Sequence, residues 1–492
     1  MASKQLSDLG LTGQGGENPA VSGLAVDSRA VEPGFLFAAL PGSRVHGGEF
    51  VEFALRMGAV AVLTDAEGAQ IAAPALRAHP AALVVTEDPR GALAAAAALW
   101  SGSQPDTMVA VTGTNGKTSV ASFTRQLWSV MGEDAINLGT TGVEGAFETP
   151  LKHTTPEPIT LHAALAAAAQ AGVTHGAMEA SSHGLEQRRL DGVLLKAAGF
   201  TNFSQDHLDY HGTFEAYFDA KARLFRAVLP DDGTAVINMD DPKGADMARI
   251  AKARGQNVLR IGRYTEADIR LTAQRFDGTG QDIRVVYGAA SFTARLELIG
   301  GFQADNVLMA AGLCIATGSS PREVFSAMSH LKTVRGRMEH AATRANGAAV
   351  FVDYAHTPDA VSTALRAMRP HVLGRLLVII GAGGDRDATK RPLMGRAAAE
   401  HADVVFVTDD NPRSEDPALI RRAVMEGCPD ATEVGDRAEA ILRAVDALGP
   451  GDTLLIAGKG HETGQIVGDA VLPFDDVEQA SIAVAALEGG LA

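Results

Sequence analysis

Short apolar runs alternate with helix-like segments along the whole chain. In the first hundred residues the runs LAVDSRA, GFLFAAL, AVAVLTD and AALVVTE are separated by alanine-rich segments. Near Met108 another apolar run enters a glycine loop, after which apolar residues recur at helical spacing, at Val120, Phe123, Leu127 and Val130. Continuous apolar strands that alternate with helices are typical of parallel sheets covered on both faces. The pattern therefore predicts an α/β fold.

From about Gly336 one pattern repeats four times, an apolar strand that ends in a polar loop containing glycine or proline. The four segments are GAAVFVDYAHTPD, GRLLVIIGAGGDRD, ADVVFVTDDNPRSED and DTLLIAGKGHET. Ligands of open parallel sheets bind beyond the carboxyl ends of the strands, so we expect these loops to share one binding edge. The stretch SGSQPD is typical of a linker. We predict three domains, at residues 1–103, 104–335 and 336–492, which suits a chain of 492 residues at roughly 150 residues per domain.

The composition restricts the classes of partner. The chain carries 43 basic and 59 acidic residues, a formal net charge of −16, which argues against nucleic acid as the main partner. Its two cysteines, Cys314 and Cys428, lie far apart, which fits a reducing compartment and excludes a cysteine-based metal site. The start has no apolar segment of the signal-peptide type, and no apolar run reaches 18 residues. We therefore expect a cytoplasmic protein without a membrane span.

The sequence MVAVTGTNGKT predicts a phosphate-binding loop between a strand and a helix. Backbone N–H groups at a helix N-terminus cradle phosphates, and Gly113 and Gly116 would let the backbone come close. Lys117 can neutralise the β- and γ-phosphates, and Thr118 can hold Mg²⁺. The loop is shorter than the usual GxxxxGK[ST], because Val111 stands where the first glycine is expected. An ordinary strand-to-helix turn is the alternative.

Two further segments, MEASSHGLEQRR and TNFSQDHLDYHG, suggest a metal site near that loop. Glu179 and Asn202 each end an apparent strand, and Glu179 with His207 offers one oxygen and one nitrogen ligand. A histidine is unusual for Mg²⁺, so a structural role remains the alternative for each residue taken alone. Lys221 lies in a predicted helix over 213–228, where the alternative is a solvated lysine.

The motifs GTNGKTS, EASSHGL, TNFSQDHLDYHG, GRMEH, DYAHTPD, GAGGDRD, DNPR and GKGHET occur in the order found in the Mur ligases. The sequence resembles this family over nearly its whole length. The resemblance implies a central P-loop ATPase-like parallel sheet, an N-terminal UDP-binding α/β domain and a C-terminal Rossmann-like domain. It implies an ATP-dependent ligase of peptidoglycan biosynthesis, which phosphorylates the terminal carboxylate of UDP-N-acetylmuramoyl-L-alanyl-D-glutamate. An amine of meso-diaminopimelate would then attack the acyl phosphate.

The resemblance also implies site residues. Those for ATP are Gly113, Thr114, Asn115, Gly116, Lys117, Thr118, Ser119, Asn306, Arg337, Asp353 and His356. The catalytic and Mg²⁺ residues are Lys117, Thr118, Glu179, His207 and Lys221, the last as N6-carboxylysine, which turns a cation that would repel the metal into an anion. The UDP-muramoyl-dipeptide residues are Ser28, Ser43, Arg44, Val45, Thr154, Thr155, Ser181, Gln187 and Arg189. The loop PGSRVHGG departs from the family's usual Asp-Gly-His wording, so an exposed turn is the alternative for residues 43–45.

The third block resembles the family's amino-acid pocket. DNPR, at Asp410–Arg413, is the signature of members that take meso-diaminopimelate. Its arginine can pair with the distal carboxylate, which lysine lacks, and Glu462 suits an amine. The implied pocket residues are Arg386, Asp410, Asn411, Pro412, Arg413, Gly458 and Glu462.

Two alternatives remain open at the level of sequence. One is a related Mur or folylpolyglutamate-type ligase for another amino acid, such as L-lysine. The other is a P-loop switch or transport ATPase, in which hydrolysis drives motion and no amide forms. The expected partners are the small-molecule substrates alone, and the chain is expected to act as a monomer.

Overall fold

The computed structural model describes residues 3–42, 44–151, 153–204 and 208–489. Two predicted site residues, Ser43 and His207, lie outside the described residues. Within the described part of the chain, three parallel-rich sheets follow one another along the sequence.

The first sheet has four parallel strands in the order β3-β4-β5-β6, with helices against it. Two short strands that precede this sheet in the sequence, β1 and β2, form a separate antiparallel pair. The strands are β1 (Lys4–Gln5), β2 (Ala20–Val21), β3 (Gly23–Ala25), β4 (Phe35–Ala38), β5 (Ala61–Thr64) and β6 (Ala82–Val85), and the helices are α1 (Val51–Arg56), α2 (Ala66–Ala78) and α3 (Pro89–Ser101). All four apolar runs predicted as strands in this part of the chain contribute to the sheet.

The middle sheet has ten strands in the order β16-β15-β14-β13-β12-β11-β7-β10-β8-β9. Its strands are β7 (Thr107–Thr112), β8 (Ala135–Gly139), β9 (Gly142–Gly145), β10 (His175–Glu179), β11 (Leu195–Phe200), β12 (Thr234–Asn238), β13 (Asn257–Gly262), β14 (Ile269–Asp277), β15 (Gly280–Tyr287) and β16 (Ala290–Leu296). Its helices are α4 (Lys117–Val130), α5 (Pro158–Gln170), α6 (Ser182–Glu186), α7 (Leu208–His211), α8 (Phe214–Arg223), α9 (Gly244–Ala253), α10 (Phe302–Ala316) and α11 (Pro321–Ala327). Strands β9, β15 and β16 run antiparallel to their neighbours, a feature that the sequence pattern did not predict.

The third sheet has six strands in the order β17-β18-β22-β19-β20-β21, with only β17 antiparallel. The strands, including a separate hairpin of β23 and β24, are β17 (Glu339–Thr343), β18 (Ala349–Asp353), β19 (Leu376–Ile380), β20 (Val404–Val407), β21 (Thr432–Glu433), β22 (Thr453–Ala457), β23 (Gly464–Val467) and β24 (Ala470–Pro473). The helices are α12 (Pro358–Met368), α13 (Lys390–His401), α14 (Pro417–Met425), α15 (Arg437–Asp446) and α16 (Asp476–Leu487).

The central parallel strands of the two larger sheets are buried on both faces. Along β7, Val109 and Val111 face one core while Met108 and Ala110 face another, because successive side chains of a strand point to opposite sides. The double burial is the reason these strands are continuously apolar. The predicted α/β fold with parallel sheets is confirmed.

The strand register brings the predicted loops to common edges. Glu179 at the end of β10 pairs with Val111, and Phe200 at the end of β11 pairs with Thr112. In the third sheet Asp353 pairs with Ala457, so the loops after β18 and β22 leave the same edge.

Two details differ from, or add to, the expectation. Thr213 caps α8, which begins at Phe214, but the predicted helix changes to a π-type turn at Leu224–Val228. In the described part of the chain, no helix combines the length and apolar character needed to cross a bilayer.

Candidate active site

The phosphate loop depends on two glycines between β7 and α4. Gly116 has φ of +86°, and a Cβ there would lie 2.5 Å from Asn306 Oδ1. A Cβ on Gly113 would lie 1.9 Å from Thr201 Oγ1, a separation that no real Cβ tolerates. The loop therefore needs glycine at both positions, for its backbone angle at Gly116 and for space at both.

The loop is held by side chains at the same sheet edge. Lys117 Nζ donates hydrogen bonds to the carbonyl oxygens of Gly113, at 2.9 Å, and Thr114, at 2.8 Å. Asn202, two residues after β11, accepts from the backbone N–H of Asn115 at 2.8 Å. The ammonium of Lys117 thus lies over the loop in which phosphates would bind.

Glu179 is buried, with 2% exposure, directly beside the loop. Its Oε2 accepts from Thr118 Oγ1 at 3.0 Å, and its Oε1 accepts from the backbone N–H of Thr140 at 2.8 Å. Arg337 Nη2 donates to the same threonine hydroxyl at 3.2 Å. A carboxylate and a hydroxyl are the hard oxygen donors that Mg²⁺ prefers, and this ion keeps several waters and takes few protein ligands. The predicted residues Thr118 and Glu179 therefore form a donor pair that fits Mg²⁺, while His207 stays a prediction.

Lys221 is buried with 1% exposure, so the alternative of a solvated helix lysine is wrong. Its Nζ donates to the carbonyl oxygen of Gly113 at 2.7 Å and lies 4.4 Å from the centre of the Tyr217 ring. Helix α8 thus brings this lysine against the start of the phosphate loop.

A cavity of about 580 Å³ opens between the middle and third sheets. The predicted residues that line it are Thr114, Asn115, Gly116, Lys117, Thr118, Ser119, Thr154, Glu179, Ser181, Lys221, Asn306, Arg337, Asp353 and His356. Sequence reasoning missed other lining residues, among them Asn238, Asp240, Asp241, Asp305 and Tyr354. The segment INMDDP ends strand β12 in polar residues, the same signal that identified the other loops. Burial raises the pKa of Asp305 to about 6, with Arg263 opposing the shift.

Arg337 reaches this cavity from the third block. The guanidinium lies 4.7 Å from the centre of the Tyr354 ring. The next residue, Met338, has a φ of +51°, and its N–H donates to Asp353 Oδ2 at 2.8 Å. Burial raises the pKa of Asp353, and Arg337 opposes that shift. Arg337 thus contacts the residue after Asp353, and Asp353 accepts from the residue after Arg337. These contacts hold the two predicted nucleotide residues together at a strained backbone position, Met338.

The predicted dipeptide residues of the middle block lie together around the end of β10. Thr155 Oγ1 donates to the carbonyl of Glu179 at 2.9 Å and accepts from the N–H of Ser181 at 3.1 Å. Arg189 donates to the carbonyl of Thr155 at 2.6 Å and to Gln187 Oε1 at 2.7 Å. Thr154 joins this group through a 3.0 Å contact between its hydroxyl and that of Thr140.

The predicted uridine residues belong to the first block. Ser28 is buried after β3, whereas Arg44 is exposed and Val45 is 51% exposed. The exposed-turn alternative therefore fits Arg44 and Val45 as well as the uracil assignment does, and that assignment stays a prediction.

The predicted amino-acid residues lie together at the edge of the third sheet. Asn411 Nδ2 donates to Glu462 Oε2 at 2.9 Å, and Arg413 Nη1 donates to the carbonyl of Gly384 at 2.7 Å. A Cβ on Gly458 would lie 2.5 Å from Asp410 Oδ2. The loop that carries Gly384 and Arg386 packs closely against Pro412, since a Cβ on Gly384 would lie 1.9 Å from the Pro412 carbonyl oxygen.

The electrostatics of this pocket combine opposite charges. Burial raises the pKa of Glu462, and Asp410 adds to that shift, whereas Asn411, Lys459 and Arg413 lower it. The pocket thus offers a half-buried carboxylate and a guanidinium within one set of loops.

Several of the predicted motifs contain a non-glycine residue with a left-handed backbone conformation. Among the described residues, positive φ at non-glycine positions occurs at Arg188, Met338, Asp385 and Arg413, between +51° and +61°. Each lies within, or directly beside, a predicted site motif. The left-handed conformation costs roughly 1–2 kcal/mol for such residues, and strain of this kind clusters at functional sites. Left-handed backbone at non-glycine positions of the described residues thus coincides with the predicted motifs.

Comparison with known proteins covers most of the chain. Residues 20–101 match the model of the Mur ligase family catalytic domain, 111–314 that of the Mur ligase middle domain, and 336–460 that of the Mur ligase glutamate ligase domain.

Individual relatives extend over nearly the whole length. A UDP-N-acetylmuramoyl-L-alanyl-D-glutamate–2,6-diaminopimelate ligase of Bradyrhizobium diazoefficiens is 50% identical over 469 residues, 94% of this chain and 95% of the relative. One of the same name from Caulobacter vibrioides is 47% identical and covers 99% of both chains. A solved structure of a ligase of that name is 34% identical, with a TM-score of 0.70 over 95% of this chain and 96% of that one. This chain belongs to the Mur ligase family.

Proposed function

We propose that this protein is an ATP-dependent ligase that adds meso-diaminopimelate to UDP-N-acetylmuramoyl-L-alanyl-D-glutamate in peptidoglycan biosynthesis. Relatives at 50% and 47% identity bear the name of that ligase. The reaction needs a bound nucleotide, a carboxylate to activate and an amine to attack, and the described residues offer surroundings for each.

One observation carries the choice of amino acid. Arg413 and Glu462 belong to loops of the same sheet edge, the arginine anchored on Gly384 and the carboxylate held by Asn411. An amino acid with an ammonium at one end and an extra carboxylate at the other complements that pair. Arginine binds carboxylates through two parallel hydrogen bonds, which the distal end of L-lysine, an ammonium group, could not accept.

The phosphate loop and its neighbours account for activation of the dipeptide. Bound Mg²⁺ would offset the repulsion between the nucleotide phosphates and the attacking carboxylate. Backbone N–H groups of the glycine loop and the Lys117 ammonium would hold the phosphates. Thr118 and Glu179 would hold the ion, and Arg337 would keep the threonine hydroxyl oriented. The walls of the 580 Å³ cavity would keep water from the acyl phosphate.

Carbamylation of Lys221 is part of the proposal. Carbon dioxide would add to the neutral amine, with loss of a proton, to leave an N6-carboxylate. The lysine is buried beside the phosphate loop, where a positive charge would repel Mg²⁺ and a carboxylate would attract it.

Each of the three predicted domains would bind a different substrate. Residues 1–103 would bind the uridine nucleotide, 104–335 ATP, and 336–492 the amino acid, in a chain that acts as a monomer in the cytoplasm. A ligase for L-lysine would leave Arg413 without a distal carboxylate to bind. A transport or switch ATPase would leave the whole third-sheet pocket without a role.

The test is product analysis by mass spectrometry. Purified protein would receive ATP, the UDP-linked dipeptide, and equal concentrations of meso-diaminopimelate and L-lysine. The mass of a diaminopimelate tripeptide is expected, and incorporation of lysine alone, or ATP turnover without an amide product, would refute the proposal.

Arg413→Ala should raise the KM for diaminopimelate sharply, whereas Arg422→Ala, which removes an exposed arginine of α14, should not.

A further inference from the structure

Lys459 of the GKGHE segment has no exposed surface, unlike most lysines. Its Nζ donates to Asn411 Oδ1 at 2.9 Å and to the carbonyl of Gly464 at 2.7 Å. Carboxylate oxygens of Asp410 and Glu462 each lie 3.9 Å from it. A buried ammonium is costly unless its partners compensate, so this cation is held for the contacts that it makes.

The contact with Asn411 decides which way its amide points. Oδ1 of Asn411 faces two groups that can only donate, the Lys459 ammonium and the backbone N–H of Ile466 at 2.9 Å. A flipped amide would turn its own donors against both, so Nδ2 must face the other way. On that side it donates to Glu462 Oε2. Lys459 therefore fixes the orientation of Asn411, the residue that donates to Glu462, and Glu462 is the carboxylate that would receive the amine.

Because Lys459 contacts both Gly464 of β23 and Asn411 of the DNPR loop, it joins the hairpin of β23 and β24 to that loop. Along that hairpin, Gln465 Nε2 donates to the carbonyl of Asp410 at 2.8 Å. Arg413 donates its N–H to the carbonyl of Ile466 at 3.0 Å and accepts from the N–H of Gly468 at 2.7 Å. These bonds hold Arg413 at a φ of +52°, a conformation that an arginine does not adopt unaided. The hairpin thus sets where the guanidinium projects.

We propose that Lys459 is a positioning residue for the amino-acid substrate: it ties the β23–β24 hairpin to the DNPR loop and orients Asn411, so that Arg413 and Glu462 present opposite charges at a fixed separation. The inference rests on the proposed function, because it concerns how that pocket recognises its amino acid. Lys459 itself touches no reacting atom in this scheme.

The variant Lys459→Met keeps the length of the side chain and removes its charge and donors. We expect the KM for diaminopimelate to rise about tenfold or more, the range for loss of a charged hydrogen bond. The KM values for ATP and for the UDP-linked dipeptide should stay near those of the wild type. Lys252→Met, which removes an exposed lysine of α9, is the matched control.

A pH profile separates positioning from a merely structural role. Without the nearby cation, Glu462 should take up a proton more readily, so the acid limb of kcat/KM for the amino acid should move to higher pH. The charged and titratable groups that face this pocket or the lysine are Asp410, Arg413, Arg437, Asp476, Tyr354, Glu462, Arg386 and Arg337. All of them remain in the variant.

The outcomes are distinct. A Lys459→Met enzyme with an amino-acid KM within about twofold of the wild type and an unmoved acid limb would overturn the proposal, whatever its kcat. If that variant does not fold, Gln465→Leu removes a half-buried clamp from the same hairpin. It should raise the same KM selectively, and an unchanged KM would overturn the proposal. A wild-type protein that forms no amide would refute the proposed function itself, together with this inference.

Discussion

Asp476→Asn should destabilise the third sheet more than any surface substitution in it. Asp476, at the start of α16, and Arg437, at the start of α15, both have no exposed side-chain surface. Arg437 donates from Nε and Nη2 to the two carboxylate oxygens, each at 2.7 Å, and from Nη2 to the carbonyl of Ala457 at 3.0 Å. Asparagine keeps one acceptor but places an NH₂ group against a guanidinium N–H and leaves the arginine charge uncompensated.

The size of the effect follows from those contacts. Removing one partner of a fully buried ion pair costs about 3–5 kcal/mol. Two charge-assisted hydrogen bonds at about 1.5–3 kcal/mol each give a similar sum. Because whole domains are stable by only about 5–15 kcal/mol, the variant should lose a large fraction of the free energy of unfolding of this part of the chain.

Hydrogen exchange followed by mass spectrometry suits the measurement. Both tryptophans, Trp100 and Trp128, precede residue 336, so their fluorescence would not report on this sheet. Amides of β22 and α16 should exchange on the order of a hundredfold to several thousandfold faster in the variant. Glu478→Gln, on the exposed side of the same helix, is the control and should change exchange little. Equal exchange in Asp476→Asn and the wild type would refute the reasoning about the buried pair.

Three further predictions concern the nucleotide site and the thiols. Gly116→Ala should raise the KM for ATP about tenfold or more, because the new methyl group would meet Asn306 at a positive φ; an unchanged KM would contradict the loop geometry. Lys221→Ala should abolish amide formation and recover part of it with an added short carboxylate, and wild-type activity that is indifferent to bicarbonate would count against the carbamate. Cys314 and Cys428 are buried, and burial raises the pKa of both thiols, that of Cys428 to about 11. Native protein at pH 8 should therefore take up no maleimide by mass spectrometry, and urea-unfolded protein two per chain.

The sequence predicted the parallel core because burial on both faces leaves a local signal. Val109 and Met108 lie on opposite faces of β7 and are both apolar, as are the residues of the strands before the third-sheet loops. A polar loop at the end of each such strand then predicts the binding edge, since parallel strands share their carboxyl ends. Strands β14 to β16, which pair antiparallel with one another, carry no such signal, because many of their residues are partly or fully exposed.

Contacts between distant residues could not be predicted in the same way. Lys459 meets Asn411 across 48 residues, and the sequence shows only that each stands in a loop. Its burial, and the left-handed backbone of Arg413, depend on the hairpin of β23 and β24, whose short strands resemble a surface turn. Lys221 illustrates the same limit, since its helical spacing fits a solvated face as well as the buried position that the fold gives it.

Tyr354 lines the nucleotide cavity and also contacts the GKGHE segment of the amino-acid pocket. One face of the ring carries the Arg337 guanidinium at 4.7 Å, and His461 of the GKGHE segment lies 5.0 Å away, centre to centre. Arg337 in turn donates to Thr118, the residue that would hold the metal ion. The loop that would bind the amine and the loop that would bind the phosphates are therefore linked by three side chains in contact. In the proposed reaction the amine must come within about 3–3.5 Å of the acyl phosphate, and this series of contacts would hold the two loops that carry them at a fixed spacing.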